Sequence, residues 1–196
     1  MGDHEPAPSP RREELLELAY RYALENGLAD LSLRPLASAI GSSPRVLLFL
    51  FGSKDGLVRA LLARARADEL ALLDQGRRVA TGDVPHTVVR TTWDWLVAER
   101  HRPLLTLWVQ AYARSLTEPD GPWAGFARQT VEDWLTVLAG SRSAGDQTGG
   151  VGAARRTLAL SVLRGALLDL LATGDVERTT AAVELHLSMV APSPSR

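Results

Sequence analysis

Leu28-Ala-Asp-Leu-Ser-Leu-Arg-Pro-Leu-Ala-Ser-Ala-Ile-Gly41 runs into Ser42-Ser43-Pro44-Arg45-Val46-Leu47-Leu48-Phe49-Leu50-Phe51 and then Gly52-Ser53-Lys54-Asp55-Gly56-Leu57. The stretch reads as two short helices separated by a tight turn, followed at once by a longer helix. Ser32 stands where a cap opens the first, and Leu33, Leu36, Ala37 and Ile40 repeat at three- and four-residue spacing. Pro35 falls in the first turn, where its missing N–H costs little. Gly41 ends that helix, Ser43 caps the next, and Pro44 takes its first position. Gly52 stops the second helix and Ser53 caps the third. Helix, Gly-containing turn, helix is the helix-turn-helix arrangement, whose second helix enters the DNA major groove.

The residues Ser32-Leu33-Arg34, Leu36-Ala37, Ala39, Gly41-x-Ser43, Leu47 and Phe51-Gly52-Ser53-Lys54-x-x-Leu57 carry a family resemblance. In order and spacing they resemble the N-terminal signature of the tetracycline-repressor (TetR) family of bacterial transcription regulators. The resemblance covers this stretch, and its position near residue 30 also suits the family. It implies an all-α chain. A three-helix DNA-binding domain over residues 11–53 is expected, after a disordered tail at 1–10. Residues 54–191 are expected to form a helical domain for effector binding and dimerisation. It further implies double-stranded DNA with a palindromic operator as partner, a small apolar or aromatic effector, and a homodimer.

Candidate DNA contacts are Arg34, Ser42, Ser43, Pro44 and Arg45, then Val46, Leu48 and Phe49, then Ser53 and Lys54. Leu47, Leu50 and Phe51 share one face of the reading helix and are expected to pack inward. Arg45 suits a guanine edge or a phosphate. The family commonly carries Tyr, a phosphate contact, where this chain has Leu48, and a His or similar polar residue where it has Leu50. Two readings of the apolar residues stand side by side: contact with thymine methyls, or burial in an extended local core. Lys54 is the only lysine of the chain. It falls in a first helical turn, where the helix dipole gives a cation nothing, so phosphate contact explains it better. It also matches the family's phosphate-contacting lysine. Arg11 and Arg12 are either solvated charges or further phosphate contacts.

At 196 residues and 45% hydrophobic the chain can bury roughly 70% of its unfolded surface, enough for one or two cores. No apolar run is long enough to span a membrane, and no signal-peptide layout opens the chain. The absence of Cys excludes disulfides and thiolate metal sites and suits a cytoplasmic setting. A net charge of −1 does not exclude DNA, which needs only one basic face.

Helical periodicity recurs along the rest of the chain: about 11–26, 54–78, 85–100, 103–117, 123–139, 152–172 and 176–190. Breaks fall at 81–85 and 141–150. All five tryptophans lie between residues 93 and 134. Trp93 and Trp95 are two apart and face different ways on a helix. Trp93, Leu96, Leu107, Trp108 and Ala111 are either a packed core or one part of a ligand pocket. Tyr112, Phe126 and Trp134 complete the set, with Gln110, Thr130 or Arg114 at its polar edge. The last two helices are apolar over a broad arc, and the resemblance implies that they pair with a two-fold mate. The expected interface residues are Leu160, Leu163, Arg164, Leu167 and Leu171, with Ala182, Leu185 and Met189.

Four scattered His residues, no His-Glu-x-x-His run, no Gly-x-Ser-x-Gly elbow and no phosphate loop argue against an enzyme, and no cofactor is expected. The rival to a DNA-binding regulator is a helical ligand-binding or interaction protein of the same fold with weakened DNA reading.

Overall fold

The computed structural model describes residues 9–28, 30–79, 85–139 and 150–190, with the backbone alone at 72–79 and 85–86. These residues hold nine α-helices, one short 3-10 turn and no strand. The helices are α1 (Pro10–Asn26), α2 (Leu33–Ala39), α3 (Pro44–Phe51), α4 (Lys54–Val79), α5 (Pro85–Leu96), α6 (Arg102–Thr117), α7 (Phe126–Ala139), α8 (Gly150–Thr173) and α9 (Val176–Val190). The chain divides into two compact units. The first takes residues 1–67 and 106–127, the second 68–105 and 128–196. The first is thus larger than the 11–53 domain outlined by the motif.

In the first unit, Ser9 caps α1 by accepting the Arg12 N–H, and Pro10 takes the opening position. The helix therefore reaches into the expected tail, whose residues 1–8 lie outside the described ones. Leu15, Ala19, Tyr20 and Ala23 of α1 are buried with Leu36 and Ala37 of α2, Leu47 and Phe51 of α3, and Leu57, Val58 and Leu61 of α4. Arg64 ties α4 to α1 through an ion pair with Glu17, its guanidinium 4.8 Å from the Tyr20 ring centroid. The α1–α2 corner is held by α6: the Leu28 N–H donates to Gln110 Oε1 at 3.3 Å. Gly27, at φ +78°, leaves the space in which the Gln110 amide lies.

In the second unit, Val88, Val89, Thr92, Trp93 and Leu96 of α5 are buried, as are Leu160, Leu163 and Leu167 of α8 and Val183 and Leu187 of α9. Trp93 Nε1 donates to Thr180 Oγ1 at 3.0 Å, and Arg90 pairs with Glu184, so α5 is bonded to α9. At the α8–α9 turn Asp175 accepts the Arg178 N–H, and Arg178 bonds Asp169, whose carboxylate raises the arginine pKa above its usual value.

Two helix boundaries are corrected here, those expected over 85–100 and 123–139. The helix expected over 85–100 ends at Leu96, and Glu99–His101 form a 3-10 turn. His101 explains the stop. Its Nδ1 lies 2.8 Å from the Trp95 carbonyl, an acceptor, while its Nε2 accepts from Arg100 Nε at 3.1 Å. The proton is therefore on Nδ1, and the imidazole closes the C-terminus of α5. Trp95 is buried like Trp93, stacked on His101 at 4.4 Å. Trp123 belongs to the turn before α7, buried and 5.7 Å from the Arg114 guanidinium.

Candidate nucleic-acid interface

The α2–α3 corner is built as its punctuation requires. Gly41 adopts φ +63°, and the Ser42 N–H bonds back to the Ala37 carbonyl at 2.8 Å. Ser43 Oγ accepts the Val46 N–H at the start of α3. Ser32 precedes α2 with extended backbone but makes no side-chain capping bond. Gly52, at φ +76°, turns the chain from α3 into α4, and Ser53 Oγ accepts the Gly56 N–H at 2.9 Å.

Helix α3 has two faces. Leu47 and Phe51 are buried and Leu50 is half-buried. Opposite them, Arg45 is exposed, and Val46, Leu48 and Phe49 are 37%, 40% and 85% exposed. At about 100° per residue Arg45 and Phe49 occupy the middle of the exposed arc, with Val46 and Leu48 at its flanks. The exposure of Phe49 separates the two readings of these side chains: it is no part of a local core. Arg34, Ser53 and Lys54 are exposed as well. Among the described residues Arg34, Arg45 and Lys54 have no ion-pair partner, which leaves their charges available to a polyanion. Asp55 stands next to Lys54 in the first turn of α4, where an acid suits the helix dipole.

Other candidates are already engaged. Arg11 pairs with Glu14 at 2.7 Å, and the Arg12 guanidinium lies 5.0 Å from the Phe51 ring. Pro44 is half-buried at the opening of α3. Ser42 Oγ is buried and bonds no described group. Gly56 carries no signal in the motif, yet it sets the α3–α4 corner. A Cβ there would lie 2.0 Å from the Phe51 carbonyl oxygen. The available clue is a glycine inside the first turn of a helix, where a better helix former would be expected.

The aromatic candidates fall into both units. Leu107, Trp108, Ala111 and Phe126 are buried in the first, where Tyr112 is half-buried with its ring 5.0 Å from that of Trp108. Gln110, expected at a pocket edge, instead bonds the Leu28 N–H. Trp93, Leu96, Thr130 and Trp134 are buried in the second unit. Trp134 Nε1 donates to the buried Glu69 carboxylate at 2.8 Å. The buried Trp95 and Trp108 indole N–H groups reach no described acceptor.

The interface candidates divide differently from expectation. Leu160, Leu163 and Leu167 are buried inside the protomer's own core, and Leu171 and Arg164 are half-buried. Ala182 is exposed, Leu185 is 62% exposed and Met189 76%. On α8 the exposed large apolar residues are Val151, Leu158 and Leu168, with Gly165 between the last two. The free face of α8 is therefore a different stripe from the one expected. Among the described residues no group of three or more His, Asp or Glu is placed to hold a metal ion, and no helix is long and apolar enough to cross a membrane.

No protein-family model matches the chain. Among curated proteins it is similar to the HTH-type transcriptional regulator BetI of Stenotrophomonas maltophilia, 28% identical over 112 residues, covering 56% of this chain and 57% of that one. BetI of Burkholderia mallei is 28% identical over 113 residues, covering 56% of each. The chain thus spans just over half the length of the curated relatives it matches. Solved structures agree over nearly the whole chain. A TetR-family regulator from Rhodococcus sp. superposes with a TM-score of 0.73 at 17% identity, covering 93% of this chain and 99% of that one. A TetR-family member from Streptomyces coelicolor A3 gives 0.71 at 21%, covering 94% and 100%. The multidrug binding protein EbrR, solved with imidazole, gives 0.67 at 23%, covering 100% and 98%. The chain has the all-α fold of the TetR-family regulators, the fold that the resemblance carried by residues 32–57 implies.

Proposed function

We propose that the chain is a sequence-specific DNA-binding transcriptional regulator: a cytoplasmic homodimeric repressor that leaves a palindromic operator when a small apolar or aromatic effector binds. One observation carries this reading. A capped helix-turn-helix presents an exposed arc on α3, with Arg34, Arg45 and Lys54 exposed and unpaired beside it. The regulator relatives and the fold support it. Residues 11–53 read DNA, and the chain from 54 to 191 binds effector and dimerises. The exposed stripe Leu158, Gly165 and Leu168 of α8, with Leu185 and Met189 of α9, is the surface that a second copy covers. EbrR has been solved with imidazole and with proflavin, which favours a small planar effector for this chain. Effector binding acts through α4, which begins at Lys54, and changes the spacing of the two reading heads. Operator and effector affinities then shift reciprocally.

The test is selection of bound sequences from a random double-stranded DNA pool at moderate salt. Enrichment of one palindrome is the expected result. A folded dimer that enriches nothing, before and after refolding to strip ligand, overturns the reading. It would favour a ligand-binding or interaction protein of this fold, an alternative supported by the apolar Leu48 and Leu50 on α3.

A further inference from the structure

We infer that α3 reads its half-site chiefly through the C5-methyl groups of thymine, with Arg45 as the one hydrogen-bonding reader. The inference rests on the DNA-binding reading above and names what that surface recognises. Direct readout in the major groove uses either the donor and acceptor pattern of base edges or the thymine methyl, which accepts only apolar contact. The exposed arc of α3 consists of Arg45, Val46, Leu48 and Phe49. Only Arg45 among them carries a hydrogen-bonding side chain. The hydroxyls bracketing the helix are committed to its ends: Ser43 caps α3 and Ser53 caps α4.

Three apolar side chains on one solvent-facing arc cost free energy in the unbound protein, least offset at Phe49, which is 85% exposed. Their occupant must be apolar where it meets them and anionic where it meets Arg34, Arg45 and Lys54. A major groove lined by thymine methyls between two phosphate backbones has both properties. Residues 45–49 advance about 6 Å along the helix axis, close to two base-pair steps. Arg45 and Phe49 therefore meet base pairs about two steps apart, and the half-site contains thymines within a step or two of the base that Arg45 contacts.

The experiment takes the palindrome recovered by selection and replaces thymine with deoxyuridine, one position per half-site at a time. This removes the methyl and leaves base pairing and the hydrogen-bonding edge intact. The transfer free energy of one methyl-sized group corresponds to about a fourfold loss of affinity per methyl. Each probe lacks one methyl in each half-site, so losses of about sixteenfold are expected at two or three adjacent positions. They should disappear in the Leu48→Ala, Phe49→Ala double variant, whose changes fall on the exposed face and leave the buried Leu47 and Phe51 in place. An enriched palindrome without thymine in its contacted steps overturns the inference while leaving the regulator reading standing. So does an affinity indifferent to uracil at every position, or a methyl effect that survives in the double variant. Failure to enrich any palindrome overturns both.

Discussion

Replacing Gly56 with alanine tests whether the α3–α4 corner is as close as the structure has it. The new methyl carbon would sit 2.0 Å from the Phe51 carbonyl oxygen, a full ångström inside the shortest separation real Cβ atoms show. The obstacle is backbone, so no rotamer change relieves it. Either α3 and α4 move apart or the first turn of α4 unwinds. Overpacking typically costs about 1–3 kcal/mol, and a backbone obstacle belongs at the upper end. Alanine returns about 1 kcal/mol through its better helix propensity. The net loss is about 2 kcal/mol, which lowers the melting temperature of a chain this size by about 4–8 °C. Thermal unfolding followed by far-UV circular dichroism measures it. Gly150→Ala is the control: it opens α8, its Cβ meets nothing within 4 Å, and it should leave the melting temperature unchanged or slightly raised. A Gly56→Ala protein that melts at or above the wild-type temperature would refute the close approach.

Further expectations concern the two faces and the joints behind them. Lys54→Ala should weaken binding to all DNA sequences alike and lower the log–log salt slope by about one; unchanged affinity removes Lys54 from the interface. Leu163→Ala should cost about 2–5 kcal/mol in denaturant unfolding, because it empties a core position. Leu185→Ala should change protomer stability by less than about 0.5 kcal/mol but raise the dimer dissociation constant in sedimentation experiments. Equal effects of the two leucine variants in both assays would contradict the assignment of inner and outer stripes. Gln110→Ala leaves the Leu28 N–H without its acceptor and should cost about 1–3 kcal/mol, whereas Gln110→Glu keeps an acceptor and should cost less; equal losses would argue against the bond.

The helix-turn-helix was the most legible part of the chain because its signals are local. Ser43, Pro44 and Gly52 bound α3 as their capping chemistry dictates, and Leu47 and Phe51 point inward as their spacing requires. What the sequence hid depends on distant partners. His101 ends α5 by bonding a carbonyl six residues back, and nothing in the apolar run through Val97 announces it. Gln110 looks like a pocket residue until the α1–α2 corner is in place beside it. On α8 apolar residues occur all round the helix, so periodicity could not separate the stripe that packs inside the protomer from the stripe that faces out. Leu163 and Leu167, expected at an interface, are buried inside the protomer, while Leu158 and Leu168 face out. Gly56 matters through a close approach of two backbones, which leaves no side-chain pattern to read.

The solitary lysine makes the helix-turn-helix addressable by chemistry. Every other basic side chain except histidine is arginine, inert to mild acylation, so Lys54 carries the only side-chain amine of the chain, and it is exposed. A reagent that acylates amines therefore has two targets, Lys54 and the chain's α-amine, and once the α-amine has been blocked at lower pH it erases one chosen charge without mutagenesis. A fluorophore introduced by the same reaction would stand at the first turn of α4. If operator DNA covers that turn, bound protein is protected from the reagent, and the rate of labelling becomes a direct gauge of occupancy.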